Sequence, residues 1–119
     1  MHLHSTYLTA LSCLEELDRA NAIKAFTPYF VMRIGELPVI PYLRPGDPQI
    51  AEELAQRAGD YRAFLLANHG PVITGTDFED AVDNAEELEE TAKLAFILKD
   101  SNIRYLTDAE VQDLKGRGK

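Results

Sequence analysis

A single cysteine, Cys13, among 119 residues leaves no intrachain disulfide to be made. It falls in an apolar run, where a buried core thiol is expected rather than a reactive one. Basic residues are scarce too: 12 Lys and Arg stand against 20 Asp and Glu, a net charge of −8. Such a chain is a poor partner for nucleic acid or an anionic membrane surface. An anionic substrate would need a few local cations or a metal to hold it. No apolar run approaches the roughly 20 residues of a membrane span. The stretch after Met1 is interrupted by His2, His4, Ser5 and Thr6 and lacks a basic start. No signal peptide is read there, and the cytoplasm is the expected compartment. There is no internal repeat and no low-complexity segment.

What is present reads as one small domain. Hydrophobic residues make up 45% and charged residues 27%, an ordinary globular balance. Residues 1–4 read as the end of a strand. From Ser5, a candidate cap, Tyr7, Leu8, Leu11 and Leu14 recur at helical spacing. Residues 18–26 are a connection. Thr27-Pro28 is a cap followed by proline at the first helical position, and Gly35 is a natural stop, so residues 28–34 form a short helix. Residues 37–40 suit an edge strand because Pro38 interrupts them. Residues 42–47 form a turn-rich loop, and Asp47-Pro48 opens a helix to about residue 58 with Ile50, Leu54 and Ala58 on one face.

Residues 63–67 read as a buried strand, Asn68-His69-Gly70 as a turn, and residues 71–74 as a second strand ended by Gly75. Thr76 with Glu79 suggests a capping box for the longest helix, about 78–99, with Ala81, Ala85, Leu88, Ala92, Ala95 and Phe96 as its apolar stripe. The acids at 86–90 are expected on its solvated face. Thr107 with Glu110 predicts a second box and a short last helix. Residues 115–119 read as a disordered tail. Alternating strands and helices predict an α/β fold.

Three histidines carry the candidate chemistry. In a strand, His2 and His4 would share one face, roughly 6.5–7 Å apart along the backbone, so both imidazoles could reach one metal. His69 sits at a turn between two apolar strands, held by glycine and proline. Three imidazoles with an open position make a catalytic zinc site. The residues alone fit equally well with three unrelated polar histidines. Tyr29, at the start of a short helix, could act as a general acid toward a carbanion. A tyrosine at a helix start more usually packs and donates one structural hydrogen bond, and from the residues alone that reading is favoured.

These motifs, in this order and spacing, resemble the class II aldolase/adducin family. The resemblance rests on His2-Leu3-His4-Ser5, on Thr27-Pro28-Tyr29 followed by Leu37-Pro38, on Ala67-Asn68-His69-Gly70, and on residues 86–94 (EELEETAKL). Within the family, residues 2–14, 27–33, 42–48 and 86–94 are most like the branch that decarboxylates 3-oxo-tetronate 4-phosphates.

The resemblance implies one zinc ion per subunit held by His2, His4 and His69. It implies a proton-donor tyrosine, Tyr29, reaching a neighbouring subunit's site, and hence a homo-oligomer, a tetramer. The implied reaction releases carbon dioxide and dihydroxyacetone phosphate from a phosphorylated sugar acid. The alternatives are a sugar-phosphate aldolase or epimerase of the same family, and a non-catalytic truncated remnant or assembly module. In the family the His-x-His motif lies near mid-chain, after strands, phosphate-holding loops and an acidic base. Here it follows Met1 directly. Residues 1–114 are therefore expected to be the C-terminal portion of a class II aldolase-like domain, with impaired catalysis.

Overall fold

Residues 63–66 are apolar without alternation, and the strand they form is covered on both faces. The structure, a computed structural model, describes residues 5–57 and 59–117. Its elements are α1 (Thr6–Ser12), α2 (Pro28–Arg33), β1 (Val39–Ile40), α3 (Pro48–Arg57), β2 (Ala63–Leu66), β3 (Gly70–Ile73), α4 (Phe78–Ile97) and α5 (Asp108–Arg117). Among the described residues the sheet has the order β1-β2-β3. β1 runs parallel to β2, with α3 as the crossover, and β2 runs antiparallel to β3.

Ala63 and Leu65 join the core under α1, α2 and α4, with Leu8, Phe30, Leu37, Ile73 and Leu88. Phe64 and Leu66 face the other way with Ile40, and Ile50 and Leu54 of α3 pack on them. Each such large side chain contributes about 1.5–3 kcal/mol by leaving water. The expected α/β class holds, as helices on both faces of a short sheet.

Several local signals act as their chemistry requires. The Thr27 hydroxyl accepts from Phe30 N (3.4 Å), Pro28 opens α2, and Gly35 takes φ +88° just after the helix. Thr107 and Glu110 form a reciprocal box, with Glu110 N donating to the Thr107 hydroxyl (3.1 Å) and Thr107 N to the Glu110 carboxylate (2.9 Å).

Other signals shift. The box on α4 forms one residue later than expected. Asp77, not Thr76, is the cap and accepts from Asp80 N, while the Asp80 carboxylate accepts from Thr76 N, both at 2.8 Å. The strand expected over 37–40 shortens to Val39–Ile40, because Leu37 N donates to Asn21 Oδ1 (2.9 Å) and Pro38 has no N–H to give. α1 stops at Ser12, which leaves Cys13 exposed rather than buried and Leu14 47% exposed. Lys115 to Arg117 belong to α5 instead of a loose tail. Residues 1–4, Ala58, Gly118 and Lys119 lie outside the described residues, and with them the strand expected at the start.

Candidate functional site

The turn bearing His69 is the best-defined part of the expected site. Leu66 pairs with Gly70 at the end of the β2–β3 hairpin, so Ala67, Asn68 and His69 form its loop. Asn68 takes the left-handed conformation (φ 59°) and Gly70 has φ 157°. Asparagine tolerates the first of these better than most residues. The loop backbone is tied at three points. Ala67 N donates to Ile40 O of β1 (3.0 Å), Asn68 N to Ser12 O at the end of α1 (2.8 Å), and His69 N to Leu66 O (3.1 Å). His69 itself is half-buried. A cleft of about 310 Å³ opens beside this turn, between Ser12, Cys13, Leu17, Val39 and Asn68.

His2 and His4 lie outside the described residues. The structure does show how the chain leaves them: Ser5 leads straight into α1, the helix whose far end carries the bond to Asn68. Among the described residues no group of three or more His, Cys, Asp or Glu is placed to hold a metal. His69 is the described donor. With His2 and His4 it would complete a three-imidazole set, which is the chemistry of a catalytic zinc centre.

Tyr29 stands at the start of α2 with 66% of its surface exposed. The helix that carries it is held firmly at its other end. Arg62 donates from one guanidinium nitrogen to Met32 O (2.6 Å) and Arg33 O (2.9 Å). Arg33 reaches Asp80 Oδ1 and Asn84 Oδ1, both at 3.3 Å, and the buried Asn84 amide donates to Thr74 O (3.0 Å). The N–H of Thr76 above all holds the Asp80 carboxyl below the usual carboxylate range, against an opposing effect of burial, and the Arg33 guanidinium lowers it further. These contacts fix α2 at the Ala63 end of β2, whereas His69 follows Leu66 at the opposite end.

The acids at 86–90 are not all on a solvated face. Glu86 and Glu90 are exposed, but Glu87 accepts from the buried Thr91 hydroxyl (3.1 Å). Glu89 accepts from Tyr7 N (2.9 Å) and Leu8 N (3.0 Å). Ser5, expected as the cap of α1, makes no side-chain cap bond. Sequence reasoning missed Glu89 because its partners lie more than 80 positions away.

The family model described as Class II Aldolase and Adducin N-terminal domain matches residues 1–96. The 3-oxo-tetronate 4-phosphate decarboxylase of Haemophilus influenzae is 68% identical over 119 residues, covering 100% of this chain and 57% of that protein. The protein of the same name from Escherichia coli K12 is 60% identical over 115 residues, 97% of this chain and 54% of that protein. The chain spans about half the length of the curated relatives it matches. Among solved structures, YgbL from Escherichia coli superposes with a TM-score of 0.93 at 60% identity, over 96% of this chain and 55% of that one. An L-fuculose 1-phosphate aldolase superposes with a TM-score of 0.80 at 28% identity, over 98% of this chain and 53% of that one.

Proposed function

This chain belongs to the class II aldolase and adducin family, and from that membership we propose that the protein is a carbon–carbon lyase that decarboxylates a 3-oxo-tetronate 4-phosphate. The observation that carries the reading is the 68% identity, along all 119 residues, to the Haemophilus influenzae decarboxylase of that name. The match runs along the whole chain, loops as well as helices and strands.

His2, His4 and His69 would hold a zinc ion, and the ion would supply positive charge near the substrate's ketone oxygen, where negative charge develops. In the reaction the bond from the substrate's α-carbon to the carboxylate breaks and carbon dioxide leaves. The bonding pair moves onto the ketone as an enolate. Tyr29 gives its phenolic proton to that carbon, which yields dihydroxyacetone phosphate, and recovers a proton from solvent. The exposure of Tyr29 supports a role at the site of a neighbouring copy. The protein would then work as a homo-oligomer, a tetramer, with the site between subunits.

The test is metal analysis of untagged protein, followed by incubation with a 3-oxo-tetronate 4-phosphate. Bound zinc that disappears in His69→Ala is the expected result, with carbon dioxide released from the oxo acid by a family member that contains this segment. Metal content that is indifferent to His69→Ala overturns the ligand set. The likeness to an L-fuculose 1-phosphate aldolase favours a second reading, cleavage of a sugar phosphate to an aldehyde. Aldehyde released from fuculose 1-phosphate, with no carbon dioxide from the oxo acid, would decide for it.

A further inference from the structure

We propose that the cavity between the end of α2, the residue before β2 and the start of α4 binds a phosphoryl group through Arg33 and Arg62. It has a volume of about 150 Å³ and is lined by Arg33, Arg62, Thr76, Asp80 and Asn84. All of these side chains are polar, whereas cavities that stay empty in proteins are apolar. Two guanidinium groups line it with one carboxylate, so the cavity is cationic in a chain whose net charge is −8. Both arginines have donors to spare. A guanidinium presents several N–H groups in a rigid fork. Arg62 commits only Nη1, to Met32 O and Arg33 O. Arg33 likewise commits only Nη1, to Asp80 and Asn84. These bonds leave the donors of Nη2 and Nε on each group. Asp80 has both oxygens engaged already, Oδ1 by Arg33 and Oδ2 by Thr76 N. Arg62 makes no ion pair among the described residues.

The walls are held before any ligand arrives. Arg62 is braced by the last carbonyls of α2, and Asn84, 3% exposed, donates to Thr74 O. Gly75 packs so closely on α4 that a Cβ there would collide with the Ala81 backbone, which keeps Thr76 against the helix. Binding therefore has little left to order. The volume lies below the roughly 300–1,000 Å³ of pockets for whole organic ligands, so the cavity takes a small group. A planar carboxylate is satisfied by one guanidinium fork. A tetrahedral dianion has oxygens for two forks that arrive from different elements. A wider cleft of about 410 Å³ opens from the cavity, shares Arg62, Thr76, Asp80 and Asn84 with it, and adds Asp60 and Thr74. Asp60 makes that cleft unfavourable for an anion. The charged group therefore belongs in the inner cavity, and the uncharged remainder of a phosphate ester would lie in the cleft. The site is independent of the metal reading, since it stands at the Ala63 end of β2 and His69 follows the other end.

The test titrates untagged protein with inorganic phosphate, glycerol phosphate and acetate at constant ionic strength. It follows the NMR signals of the arginine Nε–H groups, the Thr76 amide and the His69 imidazole. Saturable shifts of Arg33, Arg62 and Thr76 with a phosphate compound, and none with acetate, are the expected result. Saturation by inorganic phosphate assigns the phosphoryl group alone as the ligand, and saturation by glycerol phosphate only assigns an ester. Arg62→Gln should weaken binding about tenfold or more, the scale of hydrogen bonds to charged groups. Arg104→Gln, at an exposed arginine that does not line the cavity, should leave it unchanged. Asp80→Asn removes the one negative charge in the cavity, so binding should tighten by about threefold or more. The proposal is overturned by the absence of a saturable shift with either phosphate compound, by acetate that binds as well, or by shifts confined to His69. Unchanged affinity in a folded Arg62→Gln protein overturns it too. If Arg62→Gln does not fold, because α2 has lost its brace, Asp80→Asn decides: tighter binding supports the site, and equal or weaker binding overturns it.

Discussion

Replacing Asn68 isolates the backbone strain in the turn that carries His69. Asn68 is exposed and its φ is 59°, so substitution there forfeits no buried area. Its N–H bond to Ser12 O (2.8 Å) survives any change except proline. The left-handed conformation costs an ordinary L residue roughly 1–2 kcal/mol, and asparagine tolerates it best after glycine. Asn68→Ala should therefore destabilise by about 1 kcal/mol, and Asn68→Val, branched at Cβ, by about 2 kcal/mol. Asn68→Gly relieves the strain but adds freedom to the unfolded chain worth about 0.4–1 kcal/mol, so it should fall close to the native residue. For a chain of this length 1 kcal/mol moves the melting point by roughly 4 °C. Thermal melts followed by circular dichroism should rank glycine and asparagine above alanine, and alanine above valine, across about 8 °C. Metal binding through His69 should weaken in the same order, since the strained residue is its immediate neighbour. A valine variant that melts with the native protein would refute the reasoning, because it would mean that the turn relaxes at no cost.

Leu88 is fully buried, so Leu88→Ala should lose about 2–5 kcal/mol in a denaturant titration, while Ile97→Ala, at a 63% exposed position, should stay within about 0.5 kcal/mol. The Asp80 carboxyl is held below its ordinary value of 3.8 by the N–H of Thr76 and by Arg33, and Glu110 below 4.5 by the N–H of Thr107 and by Arg104. Folded values below unfolded ones mean that the stability these groups add is complete above the ordinary values and is lost as pH falls through the lowered ones. Melting points measured from pH 5 down to 2.5 should therefore drop less steeply in an Asp80→Asn, Glu110→Gln double variant than in the unsubstituted protein, and parallel curves would contradict the assignment. In an active family member containing this segment, Tyr29→Phe should slow turnover about 10²–10⁴-fold while metal content is retained, and unaltered steady-state turnover would return Tyr29 to a packing role.

How much was legible in the sequence follows from the reach of each interaction. The Thr27-Pro28 cap, the Thr107 and Glu110 box and the Asn68-His69-Gly70 turn are set by groups within four residues of one another. Their chemistry is therefore visible in a linear string. The unbroken apolar run at 63–66 implied a strand covered on both faces, and α3 and α4 cover it. Local signals failed where two neighbours competed for one role. Thr76 and Asp77 both suit a cap, and in the structure Asp77 takes the role while Thr76 N donates to Asp80.

The tertiary structure alone decided that Cys13 is exposed, that Arg62 ties down the end of α2, and that Glu89 serves the start of α1 from 81 and 82 positions away. An acid in a run of acids carries no mark of the one whose partner is a distant backbone N–H. Chain order determined which residues could bind a metal, because only certain side chains have the lone pairs for it. Where those side chains are held depends on contacts between segments far apart in the chain, and such contacts form only when hydrophobic burial folds the segments together.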